Sequence, residues 1–409
     1  MAKRPDGGGT IRRRERNGRT WWEAQISIGY DAMGKRRRKT ITGDTQKEVA
    51  QKMRAMTAEV DSGDYLEPSK LTIAKWANQW LETYCTDKRF QTTKGYKAIV
   101  ETHIKPAMGK IKLSELKPPQ IQKFYNDLAK SGKTVIRKNK NGETDVTRSP
   151  LSVKTIRNIH GVVTKMLSTA VDIGYLKSNP ADRVTVPKME KTAVNPLTDD
   201  QLAAYLKEAA NDDYWAILQI LPLTGLREAE AIGLTWDCVD LNAGTITVKQ
   251  QLVKRPLSMG GNILAATKSN NIRTIKPAQT VIDILKRRKA EQIEQRLRAG
   301  DLWQAWSSPS EQATAFVFTT DLGRHLTNTS LYYHCKKILA KIGAEDRCVH
   351  DLRHTYATIS LQNGDDIKTV QGNLGHATAS FTLDVYGHVS DRMKEASADR
   401  MEQYLAGLK

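Results

Sequence analysis

The sequence predicts a multidomain protein with a small β-sheet-plus-helix domain first, an all-α domain second, and a mixed α+β, mainly helical domain last. A chain of 409 residues is long enough for two to four domains. Apolar residues alternate near the N-terminus, as in a half-buried strand, and then recur at helical spacing from Thr72 to about Asn179. Polar stretches around residues 61–68 and 179–187 contain prolines and are typical of linkers. The predicted domains are therefore residues 1–64, 65–185 and 186–409.

In the first domain, the pattern predicts three strands and one helix. A central strand is indicated by apolar residues at every second position: Trp22, Ala24, Ile26 and Ile28. Residues 10–15 and 35–42 are predicted to flank it. Thr45 with Glu48 forms a capping box, so we expect a helix from there towards Val60.

The chain carries a strong positive charge. Its formal net charge is +19, with 64 Lys and Arg against 45 Asp and Glu. Such a surplus favours nucleic acid as a partner, because each neutralised phosphate releases a condensed counterion, and a membrane surface is the second candidate. The third strand is dense in cations that we predict to contact DNA phosphates: Arg36, Arg37, Arg38 and Lys39. The alternative is a solvated charged face.

Membrane insertion is not expected. The longest apolar run, residues 214–226, is too short to span a bilayer and is interrupted by polar residues and a proline. The N-terminus lacks the apolar core of a signal peptide. The four cysteines lie far apart without a C-x-x-C pair, which fits a reducing cytosol. We therefore expect a cytoplasmic protein.

The second domain is predicted to be helical. Two apolar series at helical spacing indicate its core, one from Ile73 to Tyr84 and one from Ile156 to Ala170. Between them, residues 133–150 are polar and basic and contain a glycine. This segment is either a hairpin that touches DNA, through Lys133 and Arg137, or a mobile insertion.

The last domain is predicted to begin near Leu197, where Thr198 and Gln201 form another capping box. Further on, Arg227 follows a glycine turn at a helix start, where a guanidinium and backbone N–H groups suit a phosphate. Glu230, one turn later, could orient that guanidinium. Strands at residues 245–248 and 272–275 are predicted to enclose a stretch that contains Lys268.

The strongest chemical signal lies near the C-terminus. His350 and Arg353 are three residues apart on a predicted helix and share one face. A glycine turn then carries His376, and Tyr386 follows ten residues later. Metal-free phosphoryl transfer requires these residue types. Arginines balance the charge of the phosphate, histidines form hydrogen bonds, a lysine protonates the leaving oxygen, and a tyrosine attacks the phosphorus.

The sequence resembles the tyrosine recombinase family, particularly integrases of temperate phages and conjugative transposons. The resemblance is carried by five motifs in the family's order: Thr-Gly-Leu-Arg, the hairpin lysine, His-x-x-Arg, Leu-Gly-His and a terminal tyrosine. The resemblance covers the chain from about Leu197 to its end. It implies a catalytic domain there, preceded by arm-type and core-type DNA-binding domains. It also implies a site-specific recombinase that integrates and excises a mobile element without a cofactor, metal ion or ATP.

The resemblance also assigns roles to six residues. Arg227 and Arg353 would bind the scissile phosphate, with a hydrogen bond from His376. Lys268 would protonate the 5′-oxygen, although Lys254 and Lys276 lie close enough in sequence to compete for that role. His350 would assist proton transfer from the nucleophile, and Tyr386 would form a 3′-phosphotyrosyl link. The implied partners are double-stranded DNA, further copies of the chain in a tetramer, a host DNA-bending protein and an excisionase.

Three other functions compete with this interpretation. The spacing of His350 and His354 resembles a zinc-binding helix, but an aspartate replaces the usual glutamate and Arg353 would lie beside the cation. A catalytically silent DNA-binding regulator would use the same scaffold, yet all six positions are filled. A type IB topoisomerase would share the chemistry.

The pattern also predicts a C-terminal helix, residues 391–405. We expect this helix to dock either on a neighbouring protomer or on its own domain.

Overall fold

The structure is a computed structural model, and it describes residues 10–16, 18–30, 33–61, 71–138, 144–189, 194–256, 258, 261–267, 271–304, 306–307, 313–375 and 391–408. The chain divides into two compact units, Met1–Glu190 and Lys191–Lys409. In the described residues, no helix is both long enough and apolar enough to cross a membrane.

The first unit begins with an antiparallel sheet in the order β1-β2-β3, followed by a helix. Its elements are β1 (Arg12–Arg16), β2 (Arg19–Tyr30), β3 (Arg36–Gly43) and α1 (Gln46–Asp61). The predicted alternation is confirmed, because Ala24 and Ile26 are buried with Ile41 and Val49 between the sheet and the helix. The predicted helix start is confirmed by the bond from the Glu48 amide to the Thr45 hydroxyl at 3.2 Å, but the Glu48 carboxylate accepts the backbone N–H of Asp44 at 3.0 Å, so the capping box is only half formed.

The rest of the first unit is mainly helical and has its own core. Its helices are α2 (Ile73–Thr83), α3 (Phe90–Ile99), a π-helical turn (Val100–Ile104), α4 (Lys105–Met108), α5 (Pro118–Ser131) and α6 (Val153–Asp172), with short 3₁₀ turns at Leu113–Glu115 and Pro180–Arg183. Trp76 and Trp80 of α2 are buried, and their indole N–H groups donate to the Met166 carbonyl and the Thr169 hydroxyl of α6. These bonds fix the two helices that were predicted from apolar spacing.

The segment between α5 and α6 forms an antiparallel hairpin, β4 (Lys133–Lys138) with β5 (Thr144–Ser149). The prediction of an all-α second domain was therefore wrong in this respect. β-branched residues on both strands, such as Val135 and Val146, favour strands here, but they do not alternate regularly with polar residues and so give no clear strand pattern.

The second unit is helical around small sheets. Its helices are α7 (Asp199–Ala209), α8 (Trp215–Thr224), α9 (Glu228–Ile232), α10 (Gln279–Ala299), α11 (Asn328–Lys341), α12 (Val349–Gln362), α13 (Ile367–Leu374) and α14 (Asp391–Ala406), with 3₁₀ turns at Trp236–Cys238 and Gly300–Leu302. Its strands are β6 (Val239–Asp240), β7 (Thr245–Val248), β8 (Gln250–Val253), β9 (Ile263–Ala266), β10 (Arg273–Ile275), β11 (Trp306–Ser307) and β12 (Ala313–Thr314).

The strands of this unit pair locally, in one three-stranded sheet and two hairpins. The sheet order is β10-β7-β6, and β8 pairs with β9 in a hairpin inserted between β7 and β10. The capping box at Thr198 is confirmed, since Thr198 and Gln201 exchange side-chain bonds at 3.2 Å each. The predicted C-terminal helix is present as α14.

Candidate active site

The site is built where α8 ends and α9 begins. Gly225 ends α8 in the left-handed conformation, with φ of +64°. A β-carbon at this position would lie 2.5 Å from Cδ1 of Tyr356 and 2.7 Å from Cδ2 of Leu374, so only glycine fits. The turn places Arg227 at the N-cap of α9, as the sequence predicted.

Glu230 holds Arg227 in place. Its carboxylate accepts Nη1 of Arg227 at 2.7 Å and the Arg227 backbone N–H at 3.0 Å. Only 1% of the Glu230 side chain is exposed. Burial alone would raise the pKa of this carboxyl, but the bonds and charges of Arg273 and Arg227 outweigh burial and hold the pKa below its ordinary value. Glu230 is therefore a buried carboxylate shared by two arginines.

The second of these arginines, Arg273, was missed in the sequence. It lies on β10 with 9% of its side chain exposed, and its Nη2 and Nη1 atoms donate to Glu230 at 2.6 and 3.2 Å. Its Nε also donates to the Asn373 carbonyl at 2.8 Å. The only available signal was a cation within a short apolar strand, and that pattern does not identify its partner.

Three successive carbonyls at the end of α13 each accept a hydrogen bond from a different arginine. Arg273 donates to the carbonyl of residue 373. Nη2 of Arg353 donates to the carbonyl of residue 374 at 2.5 Å, and Nη2 of Arg227 donates to the carbonyl of residue 375 at 3.2 Å. The negative end of a helix favours such cations. Arg353, only 2% exposed, also donates from Nη1 to the Gly225 carbonyl at 2.6 Å. The arginines of two distant motifs, Arg227 and Arg353, thus meet at one point.

His350 and His354 lie one turn apart on α12, with ring centroids 4.8 Å apart and nearly perpendicular planes. His350 is exposed at the surface, yet partial loss of hydration beside neighbouring side chains lowers the pKa of its imidazole, and the charges of Arg353 and Arg227 lower it further. The pKa of His354 falls to about 4, mainly through burial and then through the neighbouring His350. Both imidazoles are therefore neutral near pH 7, so His350 can accept a proton.

The structure brings together Arg227, His350 and Arg353 of the six predicted catalytic residues. The other three, Lys268, His376 and Tyr386, lie outside the described residues. Of the alternatives to Lys268, Lys276 directly follows β10 and is exposed, and Lys254 directly follows β8 and is also exposed. The predicted DNA-binding residues lie on strands of the first unit: Arg36, Arg37, Arg38 and Lys39 on β3, and Lys133 and Arg137 on β4. Within the described part of the chain, no group of three or more His, Cys, Asp or Glu side chains could hold a metal ion.

Three known proteins are similar to this chain over most of its length. A XerC-like tyrosine recombinase of Caldanaerobacter subterraneus subsp. tengcongensis is 29% identical over 404 residues, covering 94% of this chain and 97% of that protein. An integrase of Streptomyces ambofaciens is 25% identical and covers 94% of both chains. A structure of the Tn1549 transposon integrase in complex with transposon right end DNA has a TM-score of 0.65 at 19% identity, covering 81% of this chain and 100% of that one. This last likeness shows a shared fold.

These matches place the chain in a known class of protein, the integrases. Residues 195–393 match the phage integrase family, and residues 72–129 match the N-terminal SAM-like domain of phage integrases. Together the two matches cover more than half of the chain. The chain belongs to the phage integrase family of tyrosine recombinases.

Proposed function

We propose that this chain is a site-specific DNA recombinase that integrates and excises a mobile element through a covalent tyrosine intermediate. The observation that carries the proposal is the meeting of Arg227 and Arg353 on adjacent carbonyls, beside a neutral His350. The relatives with whole-chain matches are named as a tyrosine recombinase and an integrase.

In the proposed reaction, the hydroxyl oxygen of Tyr386 attacks the scissile phosphorus and gives its proton towards His350. The P–O5′ bond breaks, and the 5′-oxygen takes a proton from Lys268. One phosphodiester is thus exchanged for a 3′-phosphotyrosyl diester. A 5′-hydroxyl of the partner strand reverses these steps, so the bond count is conserved and neither ATP nor a metal ion is required.

Arg227 and Arg353 are proposed to hold the non-bridging oxygens of the phosphate. Charge on these oxygens grows towards the transition state, and fixed guanidinium groups stabilise it without reorganisation. Arg227 is the more accessible of the two, with 27% of its side chain exposed. His376 follows Gly375, whose carbonyl Arg227 binds, and this connection supports its proposed hydrogen bond to the same phosphate.

Lys268 is proposed as the general acid on the family resemblance, and the contacts on either side of its loop support this role. Before the loop, the buried Thr267 donates from its hydroxyl to the Asn271 carbonyl at 3.2 Å, which closes the loop at its base. After the loop, Arg273 binds Glu230, the partner of Arg227.

We further propose the domain division predicted from the sequence. Residues 1–64 would bind arm-type DNA sites, residues 65–185 core-type sites, and residues 186–409 would catalyse. Exposed Arg36, Arg37 and Arg38 on β3 support a phosphate-binding strand, and the hairpin β4–β5 that carries Lys133 and Arg137 supports a second contact.

Self-association is proposed to occur through α14. Met401, Tyr404 and Leu405 lie at i, i+3 and i+4 on this helix and are all more than 45% exposed, and apolar side chains exposed together are typical of an interaction surface. We propose that α14 docks on a neighbouring protomer in a DNA-bound tetramer in the bacterial cytoplasm, at the nucleoid. A host DNA-bending protein and an excisionase would set the direction of the reaction. Deletion of residues 395–409 should abolish synapsis, and normal tetramers would contradict this role.

The proposal is tested with a nicked suicide duplex that carries the attachment site. The wild-type chain should form a covalent adduct with this DNA, and peptide mapping should find it on Tyr386. Tyr386→Phe should bind the duplex with unchanged affinity and form no adduct. Tyr175→Phe, which removes an exposed hydroxyl in the first unit at a position with no proposed role, is the control and should react normally. An adduct that persists in Tyr386→Phe would overturn the assignment, and wild-type protein that binds without reacting would instead indicate a DNA-binding regulator.

A further inference from the structure

An open cavity of about 430 Å³ adjoins the arginine cluster. It lies where the first turns of α9, α11 and α12 meet, and Glu228, Asn328, Tyr332, Tyr333 and His350 are among the residues that line it. Glu228 directly follows Arg227 in the chain. The cavity thus shares His350 with the proposed active site, yet no step of the proposed reaction uses its other residues.

The carboxyl group of Glu228 is poorly satisfied. Its Oε1 atom is shielded from solvent and accepts no hydrogen bond from any residue in the described part of the chain. Burial raises the pKa of this carboxyl, and a hydrogen bond from Asn328 offsets burial only in part. Shielded acceptors without a donor are rare in proteins, because they lose the hydrogen bonds of water without replacement. A ligand that brings a donor into this cavity would remove the deficit.

We propose that Glu228 reads a DNA base next to the scissile phosphate by accepting a hydrogen bond from an exocyclic amino group, that of cytosine or adenine. This inference rests on the proposed function, because Arg227 and His350 must face the scissile phosphate. Consecutive bases on one strand are about 3.4 Å apart. A cavity lined by His350, and by the residue next to Arg227, therefore lies within a few base steps of the cut.

The chemistry of DNA selects a base over the backbone. Phosphate and sugar oxygens in an intact strand are acceptors, so they give Oε1 no donor, and an anionic phosphate would be repelled by a carboxylate. Donors are found on the bases, and in the major groove they are the amino groups of cytosine and adenine. Glutamate accepting from the cytosine amino group is an established form of direct readout.

Two tyrosines at the rim fit a nucleic-acid ligand. Tyr332 and Tyr333 on α11 are 43% and 67% exposed, and their rings form a T-shaped pair with centroids 5.8 Å apart. Large exposed aromatic rings beside a polar group provide apolar contact with bases and a hydroxyl for the backbone. The rings would exclude water around the carboxyl and strengthen its preference for a donor.

The inference is tested with a pool of nicked suicide duplexes, randomised at five positions on each side of the nick within the attachment core. The DNA that becomes covalently trapped on the full-length protein is sequenced. Wild-type adducts should be enriched roughly tenfold or more in cytosine or adenine at one position. Glu228→Ala should flatten that position alone, and Glu228→Gln should change its preference, because an amide also donates.

Glu294→Gln is the matched control. It removes the same charge from an exposed position on α10 in the same unit, outside the cavity, and should reproduce the wild-type profile. A profile that is identical in wild type, Glu228→Ala and Glu228→Gln would overturn the inference while leaving the recombinase function intact. A loss of adduct at every base alike would also overturn it, since the carboxyl would then act on the backbone or the fold. No adduct from wild-type protein with any DNA would overturn the proposed function itself.

A second arm needs no variant of the protein. At the enriched position, the preferred base is replaced by an analogue without the amino group, 2-pyrimidinone for cytosine or purine for adenine. The wild-type adduct yield should fall about as far as with a mismatched natural base. An unchanged yield would show that the amino group is not read and would overturn the inference even if both Glu228 variants fail to fold.

Discussion

Arg273→Met should destabilise the second unit strongly and slow DNA cleavage. The side chain makes two bonds to Glu230 and one to the Asn373 carbonyl, and both members of the ion pair are almost fully buried. Removing one partner of a buried pair costs about 3–5 kcal/mol, because the remaining charge loses both water and its partner. Arg227 still binds Glu230. We therefore expect about 3 kcal/mol, near the lower end of that range.

An exposed ion pair in the same unit serves as a control for the effect of burial on the Arg273–Glu230 pair. Lys249 and Asp237 form an ion pair with the same 2.6 Å distance, but their side chains are 40% and 63% exposed. Exposed pairs contribute at most about 1 kcal/mol. Lys249→Met should therefore change the free energy of unfolding by less than about 1 kcal/mol, although it removes a bond of equal length.

The measurement is urea unfolding of both full-length variants at pH 7, followed by tryptophan fluorescence, together with the rate of adduct formation on a suicide duplex. Arg273→Met should also react more slowly, since Glu230 would then be free to pull the Arg227 guanidinium away from the phosphate. Equal destabilisation by the two variants would refute the reasoning from burial. A normal cleavage rate in a destabilised Arg273→Met would refute the positioning role alone.

Three further outcomes are expected. Gly225→Ala should lower Tm and cleavage together, because it costs about 1–2 kcal/mol for the left-handed backbone and adds the overlap with Tyr356; a thermal melt with wild-type Tm would contradict this. The free energy of unfolding should fall as pH drops from about 6.5 to about 4, because His354 binds a proton in the unfolded state at a pH where the half-buried imidazole of the folded state stays neutral, and His354→Gln should remove that part of the slope. Replacing Arg36, Arg37 and Arg38 with glutamine should reduce the salt slope of DNA binding by about 0.9 for each phosphate that is no longer neutralised; an unchanged slope would show that β3 does not bind DNA.

The sequence predicted those elements whose signals are local. The cap at Thr45 and the capping box at Thr198 fix helix starts through bonds between residues three apart, so a short stretch of sequence is enough to predict them. The turn at Gly225 and the position of Arg227 at a helix start were predictable for the same reason. The hairpin of residues 133–149 stayed undecided, because its apolar residues are few and do not alternate regularly with polar ones in the sequence.

Long-range contacts were not predictable in this way. Arg273 and Glu230 are 43 residues apart, and their bond depends on the pairing of β10 with β7 around an inserted hairpin. The hairpin was itself missed, because Gln250 and Gln251 begin β8 with two polar residues. The motif resemblance identified Arg227 and Arg353 as partners of one phosphate. It could not show that backbone carbonyls hold them before any phosphate is present.

The distribution of charge in the site follows from these contacts. Three arginines meet there, and one buried carboxylate, Glu230, pairs with two of them, so the cluster keeps a positive excess directed at a phosphodiester that carries one negative charge. Loss of hydration lowers the pKa of His350, and two of these arginines, Arg353 and Arg227, lower it further, which leaves the imidazole neutral. A protonated histidine there would add attraction for DNA but could not accept the tyrosine proton. The positive charge at the site is therefore carried by arginines, which stay protonated at neutral pH, and His350 remains neutral and available as a base.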